Sequence, residues 1–304
     1  MTDCSVIVCT RNRVGALRNC LASIIQSFAF ADNLSCELIL IDNGSTDDTY
    51  RWANDYLSRS GVRFRVEREE RPGLASARNA GLRHAVGDLL IFTDDDCELA
   101  PDYLRRAHDR FSADLSPVLR GGRVELGDPG DMAFTVITDI RPRRYDPQDR
   151  TQILGGFILG CNMTIPRALV AAVGLFDERF GVGAPFRAAE DTDYLYRVHL
   201  AGFHIDYAPD MVVAHHHGRR DLGALRKVIE YYNEGEGAIY AKYLFGPGVF
   251  LRQLKWDVRD ALAETLLGRP IKDVFGVAKS RKLKSTAVGF WRYLSYPMSR
   301  GGAH

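Results

Sequence analysis

Three aspartates stand together directly after an apolar run that is typical of a buried strand. Asp94, Asp95 and Asp96 follow residues 88–92. Like charges a few ångströms apart repel one another and raise one another's pKa unless a cation joins them. Carboxylate oxygens are preferred ligands of Mg²⁺ and Mn²⁺. The run therefore indicates a divalent cation site, and the alternative is a solvated acidic turn that caps the next helix.

A fourth aspartate lies in a similar position. Asp42 follows the apolar residues 38–41 and begins an Asp-Asn-Gly-Ser sequence. A carboxylate there could accept a hydrogen bond from the imide N–H of a pyrimidine base. It could equally serve a tight turn, for which Asx residues are well suited. Both interpretations stay open from these residues alone.

A pair of carboxylates precedes a predicted helix over residues 192–201. Glu190 and Asp191 stand at the beginning of this helix. An aspartate in such a position serves either as a helix N-cap or, if it faces a substrate, as a general base.

Three consecutive histidines, His215, His216 and His217, follow a short predicted strand over 211–214. Side chains alternate along an extended chain, so His215 and His217 face one side and His216 the other. Imidazole suits Mn²⁺ better than Mg²⁺, which prefers oxygen ligands. The alternative is a set of surface or core histidines that bind no metal.

The elements that must position these groups alternate between strand and helix patterns. Short apolar runs predict strands, and apolar residues at helical spacing predict helices between them. Such alternation implies right-handed crossovers and an α/β fold with a mostly parallel sheet flanked by helices. Ligands bind at the carboxyl ends of the strands of such a sheet. The predicted strands cover 5–9, 38–41, 62–67 and 88–92, and the predicted helices cover 14–28, 45–56 and 73–86.

The pattern is weaker between residues 97 and 150, where we expect a loop-rich insertion with a helix near 103–111 and a strand near 119–126. The glycine-rich phosphate motifs GxGxxG and GxxxxGK[ST] do not occur in the sequence. Their absence argues against a dinucleotide-binding Rossmann enzyme and a P-loop enzyme. A hard cation held by carboxylates is then the natural means of neutralising a diphosphate.

Composition indicates a soluble folded protein, because 46% of the 304 residues are hydrophobic and 26% are charged. No apolar run approaches the ~18 residues of a membrane-spanning helix. The first residues lack the pattern of a signal peptide. The six cysteines show no CxxC spacing. We therefore expect a reducing cytoplasmic location and no structural zinc.

The net charge of +1 is unevenly distributed along the chain. Residues 219–304 hold 16 Lys and Arg against 8 Asp and Glu, and the preceding residues hold 24 against 31. We expect a domain over 1–218 and a basic helical C-terminal extension over 219–304, with helices near 222–244, 248–267 and 271–283 and an exposed aromatic segment over 290–294. The extension provides either a solvated helical face or a peripheral contact with an anionic membrane surface or a phosphate-bearing partner. We expect no nucleic-acid partner.

Six motifs together make the sequence resemble the family 2 glycosyltransferases, which have the GT-A fold. Each is weak alone, but they occur in the family's order and cover about residues 3–218. They are residues 6–13, 41–49, 73–81, the run 94–96, and residues 174–180 and 190–193.

The resemblance implies a role for individual residues. Asp42 is expected to accept a hydrogen bond from the base, and Asp94 to meet the ribose. The metal, Mn²⁺ or Mg²⁺, is expected at Asp96 with His215 or His217. The nucleotide-sugar is expected to contact Thr10, Arg11, Arg13, Asp42, Arg78, Asp94, Asp95 and Asn162.

The resemblance also implies an inverting, metal-dependent transfer of a sugar from a nucleoside-diphosphate sugar to a hydroxyl of a saccharide or lipid-linked acceptor. Asp191 is the expected general base, and its role could be exchanged with that of Glu190. A carboxylate at Asp42 favours UDP or dTDP over GDP. Two details depart from the family pattern, because Cys97 follows the acidic run and three adjacent histidines replace one or two separated ones.

Two alternatives stay open beside this enzyme. A non-catalytic nucleotide-sugar-binding partner or scaffold would keep the fold, but it would have no physical need for so many close carboxylates. A nucleotidyltransferase would normally need a basic, glycine-rich triphosphate loop after the first strand. Residues 11–15 resemble such a loop only weakly.

Overall fold

The computed structural model describes residues 2–149, 155–246, 249–268 and 270–297. The chain divides into two compact units. The first comprises Met1–Glu178 and Glu190–Arg220, and the second comprises Arg179–Ala189 and Asp221–His304. The later boundary lies two residues beyond the one expected at residue 218. The segment 179–189 was expected in the first domain and belongs instead to the second unit.

Aromatic packing explains why this segment groups with the C-terminal helices. The rings of Phe180 and Phe186 lie 6.2 and 5.2 Å from the ring of Tyr293. Such contacts join residues that are far apart in sequence, so no local pattern predicts them.

The first unit is built on one sheet with the strand order β3-β2-β1-β4-β8-β6-β9-β5, and β7 pairs with β9 outside this path. The strands are β1 Cys4–Thr10, β2 Cys36–Asp42, β3 Phe64–Arg68, β4 Leu89–Asp94, β5 Cys97–Leu99, β6 Val118–Leu126, β7 Arg143–Tyr145, β8 Met163–Pro166 and β9 His204–His215.

The half of the sheet formed by β3, β2, β1 and β4 is parallel, as the sequence predicts. The other half is mixed, because β8 is antiparallel to both β4 and β6 while β6 and β9 are parallel. The α/β architecture is thus confirmed, but the sheet is less parallel than expected. The region 97–150 was expected to be a loop-rich insertion. Its strand β6 instead lies inside the sheet, between β8 and β9.

Helices cover the sheet because their apolar residues recur at helical spacing. In the first helix Leu17, Leu21 and Ile24 are completely buried, in one cluster with Val6 and Val8 of β1. The helices of the first unit are α1 Val14–Phe30, α2 Thr49–Leu57, α3 Leu74–His84, α4 Tyr103–Ala113, α5 Arg167–Val173 and α6 Glu190–Leu200.

Helix α2 begins four residues later than its expected start at residue 45, because Ser45 is used elsewhere. The Ser45 hydroxyl accepts a hydrogen bond from the Asn12 backbone N–H at 2.9 Å. Asn12 and Ser45 therefore join the loops that follow β1 and β2, next to the carboxyl ends of those strands.

The second unit contains α7 Leu222–Lys242, α8 Val249–Leu266 and α9 Lys279–Ser295. The first two helices agree with the predicted ones, whereas the third begins at residue 279 instead of 271. None of the helices in the described ranges combines the length and the hydropathy needed to cross a bilayer.

Two glycines allow α7 and α9 to approach each other closely. A Cβ atom on Gly289 would overlap the backbone carbonyl of Glu234, and one on Gly237 would overlap that of Thr286. The neighbouring atoms are backbone atoms, so they cannot turn away as a flexible side chain could. The contact between these helices therefore depends on glycine at both positions.

We expect Gly289→Ala to lower the free energy of unfolding by about 1–3 kcal/mol, the usual cost of overpacking. Urea unfolding followed by circular dichroism would measure the change. The matched control is Gly15→Ala in α1, where no described atom lies within 4 Å of the added Cβ. That variant should be as stable as the wild type or slightly more stable, since alanine favours a helix. Equal unfolding midpoints for Gly289→Ala and the wild type would contradict the packing described for α7 and α9.

Candidate functional site

The carboxyl ends of three neighbouring parallel strands bring polar side chains to one edge of the sheet. Thr10 of β1 pairs in register with Asp42 of β2, and Cys9 of β1 pairs with Asp94 of β4. The apolar strand residues before them are buried, which fixes the register of the strands. The chain thus gathers side chains from three separate loops at the edge where open α/β sheets bind ligands.

A single guanidinium group bridges two carboxylates of the acidic run. Arg13 Nη1 donates to Asp95 Oδ1 and to Asp96 Oδ2, each at 2.8 Å. The Thr10 hydroxyl also donates to Asp95 Oδ2 at 2.7 Å. Burial raises the pKa of Asp95 to about 6 even though Arg13 and Thr10 oppose this shift. Arg13 therefore offsets the repulsion between the two carboxylates.

The other oxygen of Asp96 faces a histidine. Asp96 Oδ1 lies 3.3 Å from His215 Nε2, because β5 and β9 pair Cys97 with His215 in register. Burial alone would lower the pKa of His215, but the contact with Asp96 raises it to about 9. Burial would likewise raise the pKa of Asp96, yet His215 and Arg13 lower it to about 2. The two groups form a buried ion pair.

This pair fits a divalent cation. It offers one carboxylate oxygen and one imidazole nitrogen on the same side of the site, a combination that suits Mn²⁺. The other ring nitrogen, Nδ1, lies 3.4 Å from the Thr135 carbonyl oxygen. Such an outer contact holds a histidine with Nε2 directed at a metal. Asp96 and His215 are thus the residues that would hold the ion.

The first aspartate of the run belongs to a second group around Arg78. The buried Arg78 guanidinium donates to Glu190 Oε1 at 2.9 Å and to Asp94 Oδ1 at 3.4 Å. Burial raises the pKa of Glu190 to about 7, although Arg78 opposes the shift. A Cβ atom on Gly160 would lie 2.6 Å from the guanidinium. Glycine at position 160 leaves the space that Arg78 occupies.

Asp191 lies beside this group and is held by backbone amides. Its Oδ2 accepts from Gly160 N–H at 3.0 Å, and its Oδ1 accepts from Thr192 N–H at 2.7 Å. Asp191 is partly exposed, whereas Glu190 is buried against Arg78. Of the two carboxylates, Asp191 is thus the more accessible to a substrate hydroxyl.

Asp42 is fully buried at the end of β2. Its Oδ2 lies 3.7 Å from Nε of the half-exposed Arg68. Its Oδ1 is buried and has no hydrogen-bond partner among the described residues. A buried carboxylate oxygen without a donor is costly unless a ligand supplies one. Asp42 thus meets a requirement for binding an N–H group from outside the protein.

Two further residues expected at the site are His217 and Arg11. His217 uses both ring nitrogens within the protein, since Nδ1 accepts from Arg219 N–H at 3.0 Å and Nε2 lies 3.0 Å from the Met132 carbonyl oxygen. His217 therefore offers no free nitrogen to a metal in this arrangement, which favours His215. Arg11 is exposed on the loop after β1.

Asn162 is completely buried, and protein groups pair its amide. Its Nδ2 donates to the carbonyl oxygens of Arg123 and Met211, each at 3.0 Å, and Tyr103 donates to its Oδ1 at 2.6 Å. Through these hydrogen bonds Asn162 ties β6 and β9 together, and its expected contact with the donor stays a prediction.

Sequence reasoning missed two residues that shape the site. Arg68 faces Asp42, and the only signal for it was its place at the end of the strand that pairs with β2. Thr135, which contacts His215, lies in a segment without a regular pattern. No sequence signal could have identified it, because the contact depends on a long-range fold of the chain.

Comparisons with known sequences place this chain in a family. Residues 5–174 match the family model described as glycosyl transferase family 2. Glycosyltransferase AglE of Haloferax volcanii is 25% identical over 241 residues, which cover 77% of this chain and 72% of AglE. EpsH of Bacillus subtilis (strain 168) is 25% identical over 209 residues, 67% of this chain. The chain spans only 57% of the length of EpsH.

Solved structures share the fold. S. aureus TarS has a TM-score of 0.58 at 19% identity and matches over 79% of this chain and 40% of TarS. The mannosyltransferase PcManGT from Pyrobaculum calidifontis, solved in complex with GDP-Man and Mn²⁺, has a TM-score of 0.57 at 19% identity over 97% of this chain and 75% of its own. The predicted GT-A fold is confirmed by these similarities.

We expect Asp96→Asn to lower the pKa of His215 from about 9 toward its ordinary value of 6.5, because the largest interaction that opposes burial is then lost. An NMR titration of the His215 ring in metal-free protein would measure the change. The matched control is Glu98→Gln, since Glu98 lies 3.2 Å from His216 instead. It should leave His215 unchanged. A His215 pKa that stays near 9 in Asp96→Asn would rule out the ion pair as its cause.

Proposed function

The chain belongs to glycosyl transferase family 2, and from this premise we propose that it transfers a sugar from a nucleoside-diphosphate sugar to a hydroxyl group of a saccharide or lipid-linked acceptor. The proposed reaction inverts the configuration of the anomeric carbon and depends on a divalent cation. The donor is UDP- or dTDP-linked.

One observation carries this proposal. Carboxylates with different pKa values lie together near the carboxyl ends of parallel strands, each beside a cationic side chain. Asp96 is ionised beside His215, whereas Glu190 has a pKa of about 7 beside Arg78. Groups with perturbed pKa values cluster at active sites more often than elsewhere. This arrangement supports a site that handles both a charged diphosphate and a proton.

Asp42 is the proposed acceptor for the base. Its unpaired Oδ1 can take the imide N–H of uracil or thymine. The half-exposed Arg68, which also lies over the Tyr50 ring at 4.4 Å, would move aside as the base enters. This role for Asp42 supports a UDP or dTDP donor over a GDP donor.

Asp96 and His215 are the proposed metal ligands. Mn²⁺ or Mg²⁺, when bound there, would neutralise charge on the diphosphate leaving group. Arg13 contacts Asp96 through the oxygen that does not face His215, so it can stay in place when the other oxygen binds an ion. Arg13 then also adds positive charge beside the diphosphate.

Asp191 is the proposed general base. Its carboxylate takes the proton of the acceptor hydroxyl while that oxygen attacks the anomeric carbon. The bond from the anomeric carbon to the diphosphate oxygen breaks on the opposite face, and the nucleoside diphosphate leaves with the electron pair. The amides of Gly160 and Thr192 orient the carboxylate for this step. Arg78 keeps Glu190 in place beside it.

The proposal is tested by calorimetric titration with UDP, dTDP and GDP, with and without Mn²⁺. We expect Mn²⁺-dependent binding of UDP or dTDP by the wild type. In Asp96→Asn we expect affinity to fall by about tenfold or more, which corresponds to ~1.4 kcal/mol. The matched variant Asp191→Asn should bind the nucleotide normally but lose transfer by about 10²–10⁴-fold, as is typical of a missing general base.

Each outcome has a distinct meaning. Absence of nucleotide binding with any metal would overturn the transferase proposal. Binding without transfer, across a range of donor sugars and acceptors, would favour the non-catalytic nucleotide-sugar-binding partner. Preferential binding of GDP would overturn the role of Asp42 but not the transfer reaction.

We further propose that helix α8 attaches the protein peripherally to an anionic membrane surface, where a lipid-linked acceptor would be found. Leu254, Val258, Leu262 and Leu266 form a stripe along this helix, and the last two are 58% and 88% exposed. Lys255 and Arg259 line the same surface. An apolar stripe beside cationic side chains is typical of helices that lie on membranes.

Deletion of the end of the chain would be a poor test of this surface. Removing residues 270–304 would take away α9, which packs closely on α7 through Gly289 and Gly237. A loss of binding in such a truncation could then come from the exposed face of α7.

We therefore expect the double variant Leu262→Gln/Leu266→Gln to bind phosphatidylglycerol vesicles at least tenfold more weakly than the wild type. The reason is that burying a leucine contributes about 1.5–3 kcal/mol. Vesicle co-sedimentation would measure the change, with phosphatidylcholine vesicles as the neutral reference. Leu115→Gln is the control, because this leucine is fully exposed in the first unit. Equal vesicle binding by the wild type and the double variant would remove the membrane role.

A further inference from the structure

Two buried thiols lie next to the proposed metal ligands. Sγ of Cys97, Sγ of Cys161 and a ring nitrogen of His215 all lie within 4.8 Å of one another, and all three residues are buried. Cys97 begins β5 and pairs in register with His215. Cys161 immediately precedes Asn162, whose side chain is tied to β6 and β9. The fold thus brings together ligand atoms from three distant parts of the chain.

A fourth ligand atom completes the group. Asp96 Oδ1 lies 3.9 Å from Cys97 Sγ and 3.3 Å from His215 Nε2. A tetrahedral zinc ion with bonds of about 2.0–2.3 Å separates its ligand atoms by about 3.3–3.8 Å. The two distances from Asp96 are close to this range. The ligand atoms of Cys97, Cys161 and His215 lie within 4.8 Å of one another and need only a small approach.

The ligand chemistry differs from that of the proposed donor-metal site. Two sulfur atoms select soft or borderline cations such as Zn²⁺ and Cd²⁺, whereas Mn²⁺ and Mg²⁺ prefer oxygen. The Thr135 carbonyl oxygen, 3.4 Å from His215 Nδ1, holds the ring for a metal at Nε2 in either case.

We propose that Cys97, Cys161 and His215, together with Asp96, form a binding site for a thiophilic divalent cation of the Zn²⁺ class. Because this site shares His215 and Asp96 with the Mn²⁺ or Mg²⁺ site, the two ions exclude each other. Occupation by Zn²⁺ therefore blocks the binding of the catalytic cation. The exclusion rests on the proposed function, whereas the binding of the thiophilic ion does not.

The other close pair of thiols provides a matched control. Cys4 and Cys36 pair in register on β1 and β2, and their side chains interact. Among the described residues, however, they do not belong to a metal-ligating group with a histidine. Thiols that merely lie close together are thus present twice in the first unit, but only one pair adjoins an imidazole and a carboxylate.

The first experiment titrates reduced, metal-free protein with Cd²⁺ and follows the ultraviolet charge-transfer absorption of the metal–thiolate bond. We expect the wild type and Cys36→Ser to give this absorption at one equivalent of Cd²⁺. We expect Cys161→Ser and Cys97→Ser each to bind about 100-fold more weakly, because loss of a direct ligand should cost at least as much as loss of an outer-shell partner. Circular dichroism verifies that each variant is folded.

Two results would overturn the site. One is the absence of a charge-transfer band in the wild type. The other is a band of equal strength and affinity in the wild type and in a folded Cys161→Ser or Cys97→Ser variant, which would assign the signal to other thiols.

The second experiment measures Mn²⁺ binding by electron paramagnetic resonance in the presence of UDP. One equivalent of Zn²⁺ should abolish Mn²⁺ binding to the wild type, whereas Cys161→Ser should need about 100-fold more free Zn²⁺ for the same displacement. If the zinc-free wild type binds no Mn²⁺, the proposed function fails while the Cd²⁺ band still supports the thiol site. If Mn²⁺ and Zn²⁺ bind the wild type together, the exclusion is wrong.

Discussion

The close approach of several carboxylates at the end of β4 is the constraint on which the rest of the site depends. Asp94, Asp95 and Asp96 leave a buried strand together, so each needs a positive partner or must take up a proton. The positive partners come from three elements. Arg13 lies in the loop before α1, Arg78 lies in α3, and His215 ends β9. These elements are distant in sequence, so the fold must bring the positive side chains to the acidic run.

The same partners separate the carboxylates into different chemical states. Burial acts on all of them, but Asp96 lies close to both Arg13 and His215, and its pKa falls to about 2. Asp95 shares Arg13 and has a pKa of about 6, and Glu190 has a pKa of about 7 despite Arg78. One cluster thus combines a permanently ionised carboxylate with groups that hold a proton near neutral pH. Such separation is how one site serves both charge neutralisation and proton transfer.

Local patterns in the sequence predicted the parallel half of the sheet. The apolar runs before Asp42 and Asp94 identified two parallel strands and placed both aspartates at one edge. The mixed half of the sheet was not predictable in this way, because β8 lies between β4 and β6 only through long-range pairing. The grouping of residues 179–189 with the C-terminal helices and the contact of Thr135 with His215 likewise depend on tertiary structure. The hydrogen bonds of Asn162 were unpredictable for the same reason, since its partners Tyr103 and Met211 are remote in sequence.

The cysteines illustrate most clearly that contacts between residues remote in sequence cannot be predicted from local spacing. Cys97 and Cys161 lack CxxC spacing, and the sequence alone therefore argued against a zinc site. The structure brings both thiols to the imidazole that also faces Asp96. The histidine and aspartate proposed to hold a hard cation are thus bordered on one side by sulfur. The oxygen and nitrogen ligands alone do not exclude Zn²⁺, because Zn²⁺ binds such sites more tightly than Mn²⁺ does. The adjoining sulfurs would increase that preference, so in the proposed site the buried thiols would shift the ion selectivity away from the cation proposed for the diphosphate.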